Sequence, residues 1–160
     1  MILKGSQSAV TSATTLGRAT RIRVNATNAG TITIAAPVGT FNAQSAVDGA
    51  DITLSSHGFV TGDEVTYSDG GGTKIAELVD GSTYFVIKTD ANTVNLSETA
   101  EGSAITLSDG PSESHTITAT NTHAGTVVMV ADQVIILDKK PSDTIACSSA
   151  MSCTSIGNQP

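Results

Sequence analysis

Residues 56–96 decide the fold, and they read SHGFVTGDEVTYSDGGGTKIAELVDGSTYFVIKTDANTVNL. Three short apolar runs stand out: EVTY (64–67), TYFVIK (83–88) and TVNL (93–96). The segments around them are turn signals, in which Gly and Asn tolerate positive φ and Asp can bond to its own backbone. These are Thr61-Gly62-Asp63, Asp69-Gly70-Gly71-Gly72, Asp80-Gly81 and Asp90-Ala91-Asn92. Short strands at this spacing predict a small antiparallel β module.

The composition of the whole chain also favours strands. Among 160 residues, Thr and Ser together number 42, while aromatic residues make up 3% and Trp is absent. The core must therefore be built from Val, Ile, Leu and Ala, which bury less area per residue than aromatic rings. We expect an all-β fold of modest stability that gains from oligomerisation.

Two further expectations follow from hydropathy. No segment approaches the roughly 18–20 apolar residues of a transmembrane helix, so we expect no membrane contact. The N-terminus, Met-Ile-Leu-Lys-Gly-Ser, lacks the long apolar stretch of a signal peptide, which favours folding in a cytoplasm.

Charge is distributed unevenly along the chain. Residues 1–47 carry four basic residues and no acid, whereas residues 48–115 carry twelve acids against two lysines, a net charge of −10. Residues 116–160 carry a net charge of −1. This asymmetry predicts a discontinuous β-sandwich or barrel-like base domain, residues 1–44 plus 116–160, with a small acidic antiparallel β domain, residues 45–115, inserted into it. The first 16 residues, rich in Ser, Thr and Ala, are expected to form an extended arm of the base domain.

The segments on either side of the acidic block resemble each other. Residues 26–35 (ATNAGTITIA) are similar to residues 119–131 (ATNTHAGTVVMVA), which suggests two similar hairpins in one sheet system, although chance similarity competes with this interpretation. Before the first segment, Thr20–Asn25 alternates between Arg and apolar residues and predicts a half-buried strand with a basic outer face. After the second, the continuous apolar run Val134–Leu137 predicts a strand buried on both faces, and Met151–Ile156 is the candidate final strand.

Two patterns resemble known proteins. The pattern H-G-[FL]-x-x-G-D-x-V-x-Y, L-x-D-G-x-x-Y-x-V-I and D-x-N-x-[VI]-x-L resembles a module of bacteriophage virion proteins and large bacterial surface proteins. The pattern V-I-I-L-x-K-K-P-x-D-T-I-x-[AC]-S resembles the C-terminal half of small structural proteins of tailed phages. Together the resemblances imply a component of a tailed-phage particle surface, exported only as part of that particle.

The sequence contains no recognisable catalytic constellation, so we expect a non-enzymatic protein without a cofactor. The three histidines lack metal-ligand spacing, and His57 is interpreted as a turn residue that packs its ring and donates one hydrogen bond. Acids in the turns are expected to be solvated, with a structural cation as the alternative. Cys147 and Cys153, with five residues between them, are expected to be small semi-buried thiols, with a disulfide on a mature particle as the alternative.

All three arginines lie in one short window: Arg18, Arg21 and Arg23. One interpretation is a protein-binding docking face, because Arg makes bidentate contacts with carboxylates. The solvated face of a strand is an equally good interpretation. Nucleic acid is not an expected partner, because the chain is acidic overall and offers few aromatic platforms.

These observations lead to one favoured function and two alternatives. We expect a phage head-decoration (cement) protein that binds the major capsid protein lattice or other virion proteins, as a homo-oligomer and most simply a trimer. A tail, neck or fibre-associated component is the first alternative. A host-surface or carbohydrate-binding adhesion module is the second, and it would depend on an accessible ring such as that of Tyr67.

Overall fold

The computed structural model describes residues 8–16, 19–120 and 123–156. Nearly all of its regular structure is β, so the predicted all-β fold is confirmed. In chain order the described elements are β1 (Ser8–Val10), β2 (Arg21–Ala26), β3 (Gly30–Ala35), β4 (Val38–Asn42), α1 (Ala43–Ala46), β5 (Val47–Asp48), β6 (Asp51–Thr53), β7 (Glu64–Ser68), β8 (Thr83–Lys88), β9 (Thr93–Ser97), β10 (Ser114–Ala119), β11 (Gly125–Met129), β12 (Val134–Asp138), β13 (Thr144–Cys147) and β14 (Met151–Ser155).

The chain divides into two compact units. The flanking unit comprises Met1–Ala36 and Thr122–Pro160, and the central unit is the continuous segment Pro37–Asn121. These limits differ from the expected 45 and 115, because β4 and β10 pair with each other and β10 pairs with β7, which brings both strands into the sheet of the central unit. The insertion of one domain into the other stays a prediction.

The flanking unit is built from a four-stranded sheet, in the order β1-β14-β2-β12, and a three-stranded sheet, in the order β11-β3-β13. All neighbouring strands are antiparallel. Apolar side chains from both sheets form one core between them, as in a β-sandwich. Its buried members are Val10, Ile22, Val24, Ala26, Ile32, Met129, Ile145, Cys147, Met151 and Cys153.

Strand β2 alternates as predicted. Ile22 and Val24 are fully buried, whereas Arg21 is exposed and Arg23 is half-buried on the other side. The prediction for Met151–Ile156 is also confirmed, because β14 pairs with β2.

Strand β12 corrects a prediction. The run Val134–Leu137 was expected to be buried on both faces, but β12 lies at an edge of its sheet and pairs only with β2 among the described strands. Ile135 and Leu137 pack against the core, while Val134 and Ile136 are 47% and 53% exposed. In a two-layer sandwich each strand has one face on the core and the other in solvent, even when its sequence is apolar throughout.

The two similar segments do form neighbouring strands, since β3 pairs with β11, with Ile32 opposite Val127. They do not form hairpins, however. Strands β2 and β3 belong to different sheets, and so do β10 and β11, so each connection crosses from one sheet to another.

The described part of the expected N-terminal arm joins the sheet of its own chain. Ser8–Val10 pairs with β14, and the Thr14 amide donates to the carbonyl of Ile145 at 3.0 Å. Residues 1–7 lie outside the described residues. From Ser8 onward the chain therefore has its strand partner within the protein.

The central unit contains a seven-stranded sheet in the order β4-β10-β7-β8-β9-β6-β5. Strands β7, β8 and β9 confirm the three predicted runs to within one residue and form an antiparallel meander. The buried core of this unit includes Phe41, Ile52, Leu54, Phe59, Val65, Tyr67, Ile75, Leu78, Val86, Val94, Leu96 and Ile117.

The turns of the meander have the predicted chemistry. Gly62, Gly70, Gly71 and Gly81 all have positive φ, between 70° and 91°. The Asp69 carboxylate accepts a hydrogen bond from the amide of Gly71 at 2.8 Å, as in an Asx-turn. The register of the meander is therefore fixed by its turns as well as by its core.

Candidate functional site

The outer face of the four-stranded sheet brings the predicted docking arginines next to β12. In the β2–β12 ladder, Arg21 lies opposite Asp138, and Arg23 lies opposite Ile136. Side chains at these opposed positions share one face of the sheet. We use "outer face" for Arg21, Arg23, Asn25, Val134, Ile136 and Asp138.

Arg21 is engaged in a bidentate ion pair. Its Nε lies 2.7 Å from Asp138 Oδ1, and its Nη2 lies 3.2 Å from Oδ2. This hydrogen bond and the opposite charge raise the pKa of Arg21 and hold the pKa of Asp138 below its usual value. Both side chains are about half exposed, so the pair orients the guanidinium more than it stabilises the fold.

The predicted set of three arginines is therefore not three equivalent cations. Arg21 is neutralised by Asp138, and Arg18 lies outside the described residues. Within the described ranges Arg23 forms no ion pair, so it is the arginine of the outer face whose charge is available to a partner.

Exposed apolar side chains are the feature that sequence reasoning missed. Ile136 lies opposite Arg23 and Val134 lies opposite Asn25 on the outer face, and both belong to an edge strand that pairs only with β2 among the described strands. Val128 and Val130, just before β12 in the chain, are exposed as well. The only signal in the sequence was the unbroken apolar run, which does not tell an edge strand from a central one.

A cleft of about 400 Å³ lies at the Asp138 end of the outer face. Its lining is mostly basic and contains one exposed acid. The lining residues are Thr20, Arg21, His123, Asp138, Lys139, Lys140 and Pro141.

Beneath this cleft, the turn between β12 and β13 is tied by two buried charged residues. Lys139 is 2% exposed, and its Nζ donates to the carbonyls of Lys140 and Asp143, at 2.8 Å each. The Asp143 Oδ2 accepts from the amides of His123 (3.1 Å) and Lys140 (3.0 Å). Burial lowers the pKa of Lys139, and the nearby Asp143 charge opposes that shift. The K-K-P-x-D motif is thus a hydrogen-bonded turn.

The recurring pattern of the central unit is also structural. The His57 Nδ1 accepts from the Phe59 amide at 3.0 Å, so its Nε2 donates to the carbonyl of Asp90 at 3.1 Å. This agrees with its interpretation as a turn residue, and the ring stacks on that of Phe59. The Asn92 Oδ1 accepts from the Ser56 amide at 2.9 Å, which joins the same two turns.

The acids of these turns bind backbone amides. Asp80 accepts from the amide of Asp69 and Asp90 from the amide of Asn92, and these bonds lower the pKa of both carboxyls. No group of three or more His, Cys, Asp or Glu residues suited to a metal ion occurs within residues 8–16, 19–120 and 123–156. In the same ranges, no helix has the length and apolar character needed to cross a bilayer.

Most aromatic rings are inaccessible to a ligand. Tyr67 and Phe59 are fully buried, and Phe41 and Tyr84 are 5% exposed. Only Phe85 among the five is partly exposed. Tyr67, the ring that a sugar-stacking site would have needed, points its hydroxyl at His115 inside the core.

Comparison with protein-family models, curated proteins and solved structures finds no match.

Proposed function

We propose that this chain is a non-enzymatic structural protein of a tailed-phage particle, with head decoration as its role. The outer face of the flanking unit is the observation that carries the proposal. It combines Val134 and Ile136, exposed on edge strand β12 whose second edge has no described partner, with Arg23 on the neighbouring strand β2, which forms no ion pair within the described residues. A soluble protein that exposes aliphatic side chains on an open strand edge gains by covering them with another protein.

The charges of the two units support an orientation. The flanking unit carries six basic residues and three acids, a net charge of +3, whereas the central unit carries a net charge of −10. In this proposal the flanking unit docks on the major capsid protein or another virion protein, and the acidic unit faces solvent. Like charges on neighbouring copies would keep assembled particles from associating.

In this proposal, stabilisation of the capsid results from many copies of the protein binding the lattice. Each copy would bury a modest apolar area and add one backbone ladder at β12, in the manner of β-strand addition. A trimer at a local three-fold position would engage several capsid subunits at once, so that weak contacts combine into stable attachment.

A matched pair of substitutions tests the docking surface. Val134→Asp places a charge in the proposed interface, and Val79→Asp makes the same change at a residue of similar exposure in the central unit, 55% against 47%. Burying an unpaired carboxylate is costly, so the first variant should be lost from purified particles and the second retained. Equal copy number in both variants, with both folded by circular dichroism, would place docking elsewhere.

The location on the particle needs its own measurement. Immunogold labelling of intact virions with antibody against residues 48–115 should decorate heads. Label confined to the tail or one vertex would favour the tail, neck or fibre alternative. Protein detected by mass spectrometry in unlabelled particles would contradict the outward orientation of the central unit.

A further inference from the structure

Cys147 and Cys153 meet inside the core of the flanking unit. Cys147 is the last residue of β13, in the three-stranded sheet, and Cys153 is in β14, in the four-stranded sheet. Both are buried free thiols of one core cluster, and each lies near enough to the other to influence its pKa. The pair therefore spans the two layers of the sandwich.

The connection between the two strands is held in place. The Ser148 amide donates to the carbonyl of Thr31 at 2.9 Å, and the Thr31 amide donates to Ser148 Oγ at 2.9 Å. The Ser149 hydroxyl donates to the carbonyl of Ala29 at 3.3 Å. These bonds fix residues 148–150 to the start of β3, and so they fix how closely β13 and β14 approach each other.

The surroundings keep both sulfurs protonated in the folded protein. Burial raises the pKa of Cys147, and burial together with the neighbouring Cys147 raises the pKa of Cys153 to about 12. Only a thiolate attacks a disulfide, so the folded thiols react slowly at neutral pH. Oxidation would proceed while the core is still open, in a chain that folds or refolds under oxidising conditions.

We propose that Cys147 and Cys153 are an oxidation site that forms one intramolecular disulfide between the two sheets of the flanking unit. Both side chains enter one core from facing sheets, on strands joined by a three-residue connection, which is the placement that an S–S bond of about 2.05 Å between the sheets requires. This inference concerns the fold alone and does not depend on the proposed role in a phage particle.

The reaction needs an oxidant of the small-molecule disulfide class, such as oxidised glutathione. The Cys147 thiolate attacks one glutathione sulfur, which forms a mixed disulfide and releases one glutathione thiolate. The Cys153 thiolate then attacks the sulfur of Cys147, which closes the protein disulfide and releases the second glutathione. Two electrons and two protons pass from the cysteines to the two glutathione molecules. Cys147 attacks first because it stays the more accessible cysteine as the core closes, and in the folded protein it is 6% exposed against 1% for Cys153.

The chain offers its own diagnostic cleavage point. Met151 lies between the two cysteines, so cyanogen bromide in acid separates residues 130–151 from residues 152–160. Full-length protein is unfolded with reductant and refolded either in reductant or in a mixture of reduced and oxidised glutathione, then quenched in acid and cleaved. In the oxidised sample we expect the two fragments to remain joined until reductant is added. Fragments that separate, with free or glutathione-modified cysteines, would overturn the proposal.

Two single variants test the order of attack. Cys153→Ala leaves Cys147 without its resolving partner, so it should retain a glutathione on Cys147 after oxidative refolding. Cys147→Ala should retain several-fold less on Cys153. Equal retention in the two variants would overturn the assigned roles.

Stability provides an independent measurement. The disulfide should raise the guanidinium midpoint of wild-type protein after oxidative refolding, whereas both Ala variants should have the same midpoint in either buffer. If the guanidinium midpoint of the wild-type protein is no higher after oxidative refolding than after refolding in reductant, the proposed undistorted disulfide between the sheets is contradicted.

Discussion

The hydroxyl of Tyr67 joins two buried groups in the core of the central unit. It accepts from the Ile75 amide at 3.1 Å and lies 2.6 Å from Nδ1 of His115. Because the amide already donates to this oxygen, we assign the phenolic proton to the bond with Nδ1, so that Nδ1 is the acceptor. Burial is the main reason that the pKa of Tyr67 is raised, in keeping with a hydroxyl that stays protonated. One hydroxyl thus satisfies two buried groups.

Removing that hydroxyl should be costly. Tyr67→Phe leaves the Ile75 amide and the His115 Nδ1 without their buried partner, and each such group costs about 1–3 kcal/mol. We expect a loss of roughly 2–4 kcal/mol of unfolding free energy, measured by denaturant titration.

The matched control for this change is Tyr84→Phe. The Tyr84 hydroxyl accepts from the amide of Val79 at 2.9 Å, but Val79 is largely exposed and its amide can bond to water instead. This variant should lose markedly less stability. Equal losses would mean that the Tyr67 network is no stronger than a surface hydrogen bond.

At the scale of elements, the turn between β12 and β13 shows how a short motif can specify structure. Asp143 is fully buried, and its Oδ2 accepts from the Lys140 amide, which closes the turn, and from the His123 amide, which ties the turn to the segment before β11. The buried ammonium of Lys139 stabilises the same turn by donating to the carbonyls of Lys140 and Asp143. The positions of the K-K-P-x-D motif are therefore constrained by the turn itself.

Asp143→Ala should destabilise the flanking unit by about 3 kcal/mol, because it leaves two amides without an acceptor and a buried ammonium without its neighbouring charge. Asp138→Ala, in the adjacent cleft, removes an exposed carboxylate and should cost much less. Guanidinium midpoints of the two variants provide the comparison. A smaller effect at Asp143 than at Asp138 would contradict the structural role of the turn.

Particular elements explain which features could be predicted from the sequence. Strands β7, β8 and β9 were predictable because each is bounded by Gly or Asp turns with local hydrogen bonds. The environment of β12 was not, because its partner β2 lies more than a hundred positions earlier in the chain. The pairing of Arg21 with Asp138 has the same long separation, so the sequence alone presented Arg21 as a free cation.

At the scale of the whole molecule, the strands next to each chain crossing pair with strands of their own unit. The Ala119 amide donates to the carbonyl of Pro37 at 3.1 Å, so the central unit begins and ends on paired strands. In the flanking unit, Ile34 of β3 lies opposite Gly125 of β11. The chain therefore leaves and re-enters the flanking unit at neighbouring points.

This arrangement predicts that the central unit can be excised. Replacing residues 37–121 with a short Asn-Gly turn should convert β3 and β11 into a plain hairpin and leave the sandwich core intact. Circular dichroism should show β structure, and unfolding should remain cooperative. Val24→Ala, in the core, should lower the midpoint of the shortened chain as it does in the full chain. A shortened chain that aggregates or unfolds without cooperativity would contradict the insertion of one domain into the other.

The strand order also determines when each unit can fold during synthesis. Strand β2 lies between β12 and β14, and β3 lies between β11 and β13, so all of these partners are translated after the central unit. On the ribosome the central unit can complete its sheet before the partner strands of β2 and β3 have been translated. A chain that terminates prematurely after residue 121 would carry a folded central unit beside two apolar strands without partners. Such a product exposes apolar surface that chaperones and proteases recognise. Translation of residues 122–160 therefore determines whether the whole chain, including its folded central unit, escapes degradation.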